Sequence, residues 1–235
     1  MAEVKRIDGR KADEMRKMKA EVGVIKNADG SAIFGFGDTV AIAAVYGPKQ
    51  LHPQHLQNPR KGILRVVYDM LSFSVPDRKR PGPSRRSMEI SKVTEWALSS
   101  IVDLDNFPNT VVDVHITILS ANASTRVAGI NAAAMALADA GVPMKELVSS
   151  VSVGKLDKNL VVDVCKEEED FEEGEGATDI AFAFFSNSES ISLFQLDGYI
   201  RPEELKKAVK MGKKACKEIF ELQKKTLKEK KTNGQ

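Results

Sequence analysis

Three groups of residues in this 235-residue chain have types and spacing that can do chemistry. The first is Asn122-Ala-Ser-Thr-Arg126, which lies between a strand pattern and a helix pattern. Backbone N–H groups free at a helix N-terminus, small hydroxyls and a forked guanidinium together suit a phosphate group. An ordinary capped helix start accounts for the same residues, and the motif alone does not separate the two readings. The second group is acidic: residues 167–175 hold seven carboxylates in nine positions, Asp170 among them, and Asp179 follows at the start of an apolar strand pattern. A carboxylate at a strand end can hold a metal ion or exchange a proton with a phosphate oxygen, although a charge run also reads as a solvated loop. The third is basic. Between Arg60 and Lys92 nine lysines and arginines face three acidic residues, a surface on which a polyanion can dock.

Other candidates are weaker. His52 and His55 have no third ligand nearby and read as structural. Cys165 and Cys216 form no C-x-x-C pair, so they read as idle or buried thiols rather than as a zinc site or a disulfide framework. Trp96 and the cluster Phe182, Phe184 and Phe185 read as core by their periodicity.

These residues need elements to hold them. Residues 22–46 read as three short strands, with turns at Asn27-Ala-Asp-Gly30 and Gly37-Asp38 and a period of two through Ala32, Phe34, Phe36, Val40, Ile42 and Ala44. A strand is expected over 63–68. A helix capped by Ser84 should run to Leu104, and Arg85 and Arg86 then fall in its first turn, where the dipole makes a bound anion favourable. The order repeats, with a strand over 110–119, the Asn122 to Arg126 loop, and a helix over 126–140 ended by Gly141-Val-Pro143. Strand pairs are expected over 147–153 with 160–164, and over 178–185 with 190–196. A closing helix starts at Pro202 and runs to about Lys228, beyond which 229–235 reads as a basic tail. Hairpins among crossovers imply an α/β fold, with mixed sheets and packed helices rather than a doubly wound parallel sheet. With 42% hydrophobic residues and no low-complexity segment, one domain spanning 1–235, with its core over about 6–228, is the expected organisation. No apolar run is long enough to cross a bilayer and the first twenty residues are charged, so a soluble, cytoplasmic protein is expected.

Several motifs occur together in a fixed order: Ile7-Asp-Gly-Arg10, Ala28-Asp-Gly-Ser31, His52-Pro-Gln-His-Leu-Gln57, Pro81-Gly-Pro-Ser-Arg-Arg-Ser-Met-Glu-Ile-Ser-Lys92, Thr125-Arg-Val-Ala-Gly-Ile-Asn-Ala-Ala-Ala134, Ala136-Leu-Ala-Asp-Ala-Gly-Val-Pro143 and Gln195-Leu-Asp-Gly198. Over about residues 6–228 this set resembles the RNase PH family, and its order is similar to that of catalytic subunits of archaeal-type exosome rings. The resemblance implies an RNase PH-like fold and phosphate-dependent 3′-to-5′ degradation of RNA, releasing nucleoside 5′-diphosphates and reversible to 3′ extension. It implies that Arg86, Ser124, Thr125 and Arg126 bind inorganic phosphate, the co-substrate. Asp170 and Asp179 would be the catalytic carboxylates and the candidate holders of Mg²⁺, and Arg65 and Arg85 would grip RNA. The implied partners are RNA, a related non-catalytic RNase PH-like subunit alternating in a hexameric ring, and RNA-binding cap subunits. A free-standing RNase PH that trims tRNA 3′ ends, or a silent ring subunit that lines an RNA channel, are the alternatives.

The chain departs from the family pattern at three places. Asn122 and Ser124 stand where Asp and Gly are usual, Val67 stands where archaeal relatives often have a second arginine, and Glu172 to Gly176 lengthens the interval between Asp170 and Asp179.

Overall fold

The computed structural model describes residues 6, 8–171, 174, 176–188 and 190–233. Ile7 of the first motif and Glu172, Glu173 and Glu175 of the acidic insertion lie outside the described residues. Two sheets and four helices form the mixed α/β architecture expected from the strand and helix patterns.

The first sheet contains β1 (Met18–Val22), β2 (Gly30–Phe36), β3 (Thr39–Gln50), β4 (Ile63–Met70) and β5 (Thr110–Ser120) in the order β1-β2-β3-β5-β4. Its pairs are antiparallel except β4 with β5, which are parallel and therefore need the crossover that α1 (Arg85–Ser99) supplies. The second sheet is antiparallel, in the order β7 (Asn159–Val162), β6 (Val148–Leu156), β8 (Ala177–Phe185), β9 (Ile191–Asp197). A short helix, α3 (Lys166–Glu169), leads into the acidic loop, and α4 (Pro202–Asn233) closes the chain.

Helix α2 (Thr125–Asp139) is the common core of both sheets. Every residue from Thr125 to Leu137 except Arg126 is buried, which suits a helix apolar on all sides. Ala128, Ala132, Ala133, Ala134 and Ala136 let strands approach closely, and the approach is tightest at Gly30 of β2, where a Cβ would stand 2.2 Å from the Ala140 nitrogen. The one polar side chain in its middle, Asn131, is fully buried and satisfied: it accepts from the Ser150 N–H and donates to the Ser150 carbonyl, both at 2.8 Å. Gln223 of α4, also fully buried, joins that network by donating to Asn131 and to the Val148 carbonyl while accepting from Ser149.

Four expectations are corrected. The first strand lies earlier than 22–46 and ends at Val22, because β1 pairs as an edge strand from Met18 with Phe36. Helix α1 stops at Ser99 rather than Leu104; Ile101 and Val102 are still buried, but in a loop in which Val102 bridges to Met144. Trp96 is not core. The inward stripe of α1 is Ser87, Ile90, Thr94, Ala97 and Leu98, which leaves Trp96 on the outer side, 64% exposed with Lys92 over its ring. Finally, α4 continues through the basic tail to Asn233, where cations at a helix C-terminus are favourable and Lys230 pairs with Asp139 at 2.5 Å. Cys165 and Cys216 are buried free thiols, as expected, and Phe182 and Phe184 are buried. His52 and His55 are both exposed. Among the described residues no helix is long and apolar enough to cross a membrane.

Candidate active site

The sequence places a phosphate-suited loop at the start of α2, and the fold turns that helix end into a cleft of about 580 Å³ between the two sheets. Arg86, Ser124, Thr125, Arg126, Asp170 and Asp179 all line it, together with Lys79, Lys166 and Glu169. Six of the eight predicted site residues thus meet in one place. Arg65 and Arg85 do not line the cleft; both are exposed, Arg65 on the outer face of β4 and Arg85 at the first position of α1.

The local backbone explains how the loop works. Ala123 and Ser124 both have φ of 54°, in the left-handed region that side chains rarely occupy. Ser124 is the N-cap of α2, yet its side chain makes no capping bond to the helix N–H groups, so those groups remain available to an anion. The Ser124 hydroxyl turns inward instead. It lies 2.8 Å from the Ser152 hydroxyl and 3.1 Å from both Asp163 Oδ1 and the Val164 carbonyl. Asp163 is itself held by Arg16, whose guanidinium donates to both of its carboxylate oxygens at 2.8 and 2.6 Å, and Arg16 also donates to the Asn122 carbonyl at 2.6 Å. A serine at this position therefore adopts the glycine-like conformation because hydrogen bonds hold it there. Its contribution toward the cleft comes through the backbone rather than the hydroxyl. Asn122, the other departure, accepts from the Lys166 N–H at 2.9 Å and so caps α3, a role that an aspartate would fill equally.

The charged side chains differ in how completely they are satisfied. Arg126 donates to Gln195 at 2.5 Å and to Glu89 at 3.4 Å, but its Nε is buried with no hydrogen-bond partner. Asp179, at the third position of β8, has a buried Oδ1 that is also unpartnered. A cation and a carboxylate that leave bonding capacity unused at one cleft are an arrangement that a bound ligand completes. Burial raises the Asp179 carboxyl to about 6, with Glu169 and Asp197 pushing the same way and Arg126 and Arg86 opposing. Asp170 stands differently: it is largely exposed and accepts from Lys166 at 2.6 Å, a bond that holds the lysine above its ordinary range. Arg65 donates to Asp113 through two bonds of 2.6 and 2.8 Å; burial pushes the Asp113 carboxyl up, but Arg65 and Lys49 outweigh it and hold it low. Among the described residues no three histidine, cysteine or acidic side chains group as a metal-ligand cluster.

The sequence reading missed Lys79, Lys166 and Glu169 at the cleft wall and the Arg16–Asp163 pair behind it. The pair joins residues 147 positions apart, and no local pattern signals it.

Comparison with known proteins agrees with this architecture. Residues 14–143 match the first domain of the 3′ exoribonuclease family, RNase PH, and residues 146–215 match its second domain. The chain is 51% identical over 226 residues to the exosome complex component Rrp41 of Thermococcus kodakarensis, covering 96% of this chain and 89% of that protein. It is 47% identical over 225 residues to the Archaeoglobus fulgidus protein of the same name, covering 94% and 86%. The fold matches rice Rrp46 with a TM-score of 0.82 at 26% identity, covering 94% of this chain and all of that one. It matches a chain of the Archaeoglobus fulgidus exosome with RNA bound to the active site with a TM-score of 0.80 at 23% identity, a likeness of fold, covering 93% and 92%. With both of the family's domains present in order, and relatives this similar along nearly its full length, the chain belongs to the 3′ exoribonuclease family of RNase PH.

Proposed function

We propose that this chain is the catalytic subunit of an exosome ring and shortens RNA from its 3′ end by phosphorolysis. The observation that carries the reading is the pairing, at one cleft, of the unpartnered Arg126 Nε with the unpartnered Asp179 Oδ1, beside a helix N-terminus with uncapped N–H groups. Inorganic phosphate is the nucleophile, held by the backbone N–H groups from Ser124 onward, by the Thr125 hydroxyl, and by the guanidinium groups of Arg126 and Arg86. A phosphate oxygen attacks the phosphorus of the terminal phosphodiester. The bond to the 3′ oxygen breaks, a nucleoside 5′-diphosphate leaves, and the shortened RNA takes up a proton at its new 3′ hydroxyl. Asp179, whose carboxyl titrates near 6, can supply that proton close to neutral pH. Phosphoryl transfer depends mainly on positioning and charge neutralisation, which the cleft supplies with Arg86, Arg126, Lys79 and Lys166. Because a diphosphate retains much of the phosphodiester's energy, the reaction runs in both directions and diphosphates extend RNA.

Alternatively, Asp179 and Asp170 would hold Mg²⁺ as ionised carboxylates, and the ion, in place of the Asp179 proton, would neutralise charge on the phosphates; this ion typically uses one or two carboxylates and takes its other ligands from substrate oxygens and water, and the unpartnered Asp179 oxygen suits it. Arg65 and Arg85, outside the cleft, would guide the RNA backbone toward it. The two matched segments would form one folding unit over 1–235, because α2 packs against both sheets. The relatives' name, exosome complex component, supports assembly with a related non-catalytic subunit in an alternating hexameric ring under RNA-binding caps. Two free buried thiols suit a cytoplasmic location.

The test is to incubate end-labelled RNA with the purified chain, alone and with a ring partner, with and without inorganic phosphate. Nucleoside diphosphates formed only with phosphate support the reading; monophosphates formed without it overturn it.

A further inference from the structure

Tyr68 lies on the strand that contributes Met70 to the cleft wall. It lies on β4, opposite Ile116 of β5, with its side chain on the buried face and only 3% of the residue exposed. Its backbone N–H donates to the Ser91 hydroxyl of α1 at 2.9 Å, which fixes the strand at this point. The hydroxyl of its side chain is buried and has no hydrogen-bond partner. A buried phenol normally finds one, so the unmet hydroxyl calls for an explanation.

The ring packs against α2 at Gly129. A Cβ there would stand 3.0 Å from Ile116 Cγ2, which would have to give way, and 3.6 Å from the Tyr68 ring, an ordinary contact, so the ring lies close over the helix at this position. Thr125 lies one turn toward the N-terminus on the same helix face. The ring therefore crosses α2 at the glycine and carries its hydroxyl toward the phosphate loop. The surroundings of that hydroxyl agree: burial raises the phenol, while the Thr125 side chain and the cations Arg86 and Arg126 act to lower it.

We propose that Tyr68 is a positioning residue for phosphate: its hydroxyl, unpartnered in the free protein, donates to the Thr125 side chain from behind once phosphate is bound, and so aims the Thr125 hydroxyl proton at the anion. This rests on the phosphorolytic reading above. Tyrosine is needed rather than phenylalanine only for this bond, because the ring alone fills the space above Gly129.

The experiment uses Tyr68→Phe, which keeps the ring. Without ligand the variant should be as stable as the wild type or more so, because it loses a buried hydroxyl that has no partner. The phosphate concentration needed for half-maximal activity, and for half of the thermal stabilisation by inorganic phosphate, should rise about three- to tenfold, the value of one neutral hydrogen bond. The rate at saturating phosphate and the affinity for RNA should stay near wild type. Adding Tyr68→Phe to Thr125→Val should then raise the phosphate requirement no further than Thr125→Val alone. An unchanged phosphate requirement in Tyr68→Phe, or additive effects in the double variant, overturns the assignment while leaving phosphorolysis standing. A wild-type protein that neither binds nor requires phosphate overturns both.

Discussion

Ser124 Oγ lies 3.1 Å from Asp163 Oδ1, and this contact helps a non-glycine residue hold a left-handed conformation at the N-terminus of the core helix. Two effects compete there. The backbone would rather carry glycine, which occupies positive φ without strain, whereas the hydroxyl gains bonds that glycine lacks. Ser124→Ala keeps the strain and loses the bonds, and should cost about 1–2 kcal/mol of stability. Ser124→Gly loses the bonds and the strain together, and should cost less. Urea melts of the two variants beside the wild type decide it, and an alanine variant as stable as the wild type would mean that the hydroxyl is not what holds the loop.

The phosphate site should depend unequally on its two arginines. Arg126 is partly buried and has an unmet donor, whereas Arg86 is exposed at the start of α1. Arg126→Ala should lose about 1.5–3 kcal/mol of phosphate-dependent transition-state stabilisation, roughly one to two decades in rate, and Arg86→Lys should lose less because it keeps its charge. Phosphate titrations of the exonuclease rate measure both. An Arg126→Ala enzyme with normal phosphate dependence would remove this residue from the site.

RNA binding should fail differently from chemistry. Arg65 and Arg85 lie outside the cleft on an exposed basic surface, so Arg65→Ala and Arg85→Ala should weaken RNA binding and flatten its salt dependence, while phosphate use is kept. Arg65 also neutralises Asp113, but Lys49 still pairs with that carboxylate at 2.8 Å, so the fold should survive. Filter binding over a range of salt concentrations tests this, and an unchanged slope in both variants would put the RNA path elsewhere.

Much of this arrangement is legible in the sequence because its signals are local. Alternation gives β2, β3 and β5, the hydroxyl of Ser84 gives the start of α1, and the Asn122 to Arg126 loop falls between a strand and a helix. What is not legible depends on distant partners. Arg6 and Glu168, 162 positions apart, form a fully buried two-bond pair beneath α3, and neither residue type suggests burial when read alone. Trp96 misleads for a related reason. Periodicity shows that α1 has an inner face, but not that the neighbouring Ala97 rather than Trp96 occupies it. The unmet hydroxyl of Tyr68 likewise needs coordinates, because Tyr68 reads as one more apolar position in a strand.

The two carboxylates should separate by their surroundings. Asp179 is mostly buried with a carboxyl raised from 3.8 to about 6, so the folded state holds its proton more tightly than the unfolded chain does. Below about pH 4 both states are protonated, and Asp179→Asn should change stability little. Between about pH 4 and 6 the unfolded chain ionises while the folded one resists, so the wild type loses stability relative to the variant. Above pH 6 the full difference, about 3 kcal/mol, should favour Asp179→Asn. The same variant should lose phosphorolysis and diphosphate-driven extension together, because one transition state serves both directions. Asp170 is exposed and paired with Lys166, so Asp170→Asn should abolish activity without any such gain in stability. Glu173→Gln and Glu175→Gln, in the insertion beyond the described residues, should leave activity intact. Melting curves from pH 4 to 8 beside single-turnover assays test the set. An Asp179→Asn protein that is active would show that this carboxyl is not the working one, and one no more stable than the wild type at pH 7.5 would show that it is not the destabilised group. A loss of activity in Glu173→Gln but not in Asp170→Asn would move the second catalytic carboxylate into the insertion.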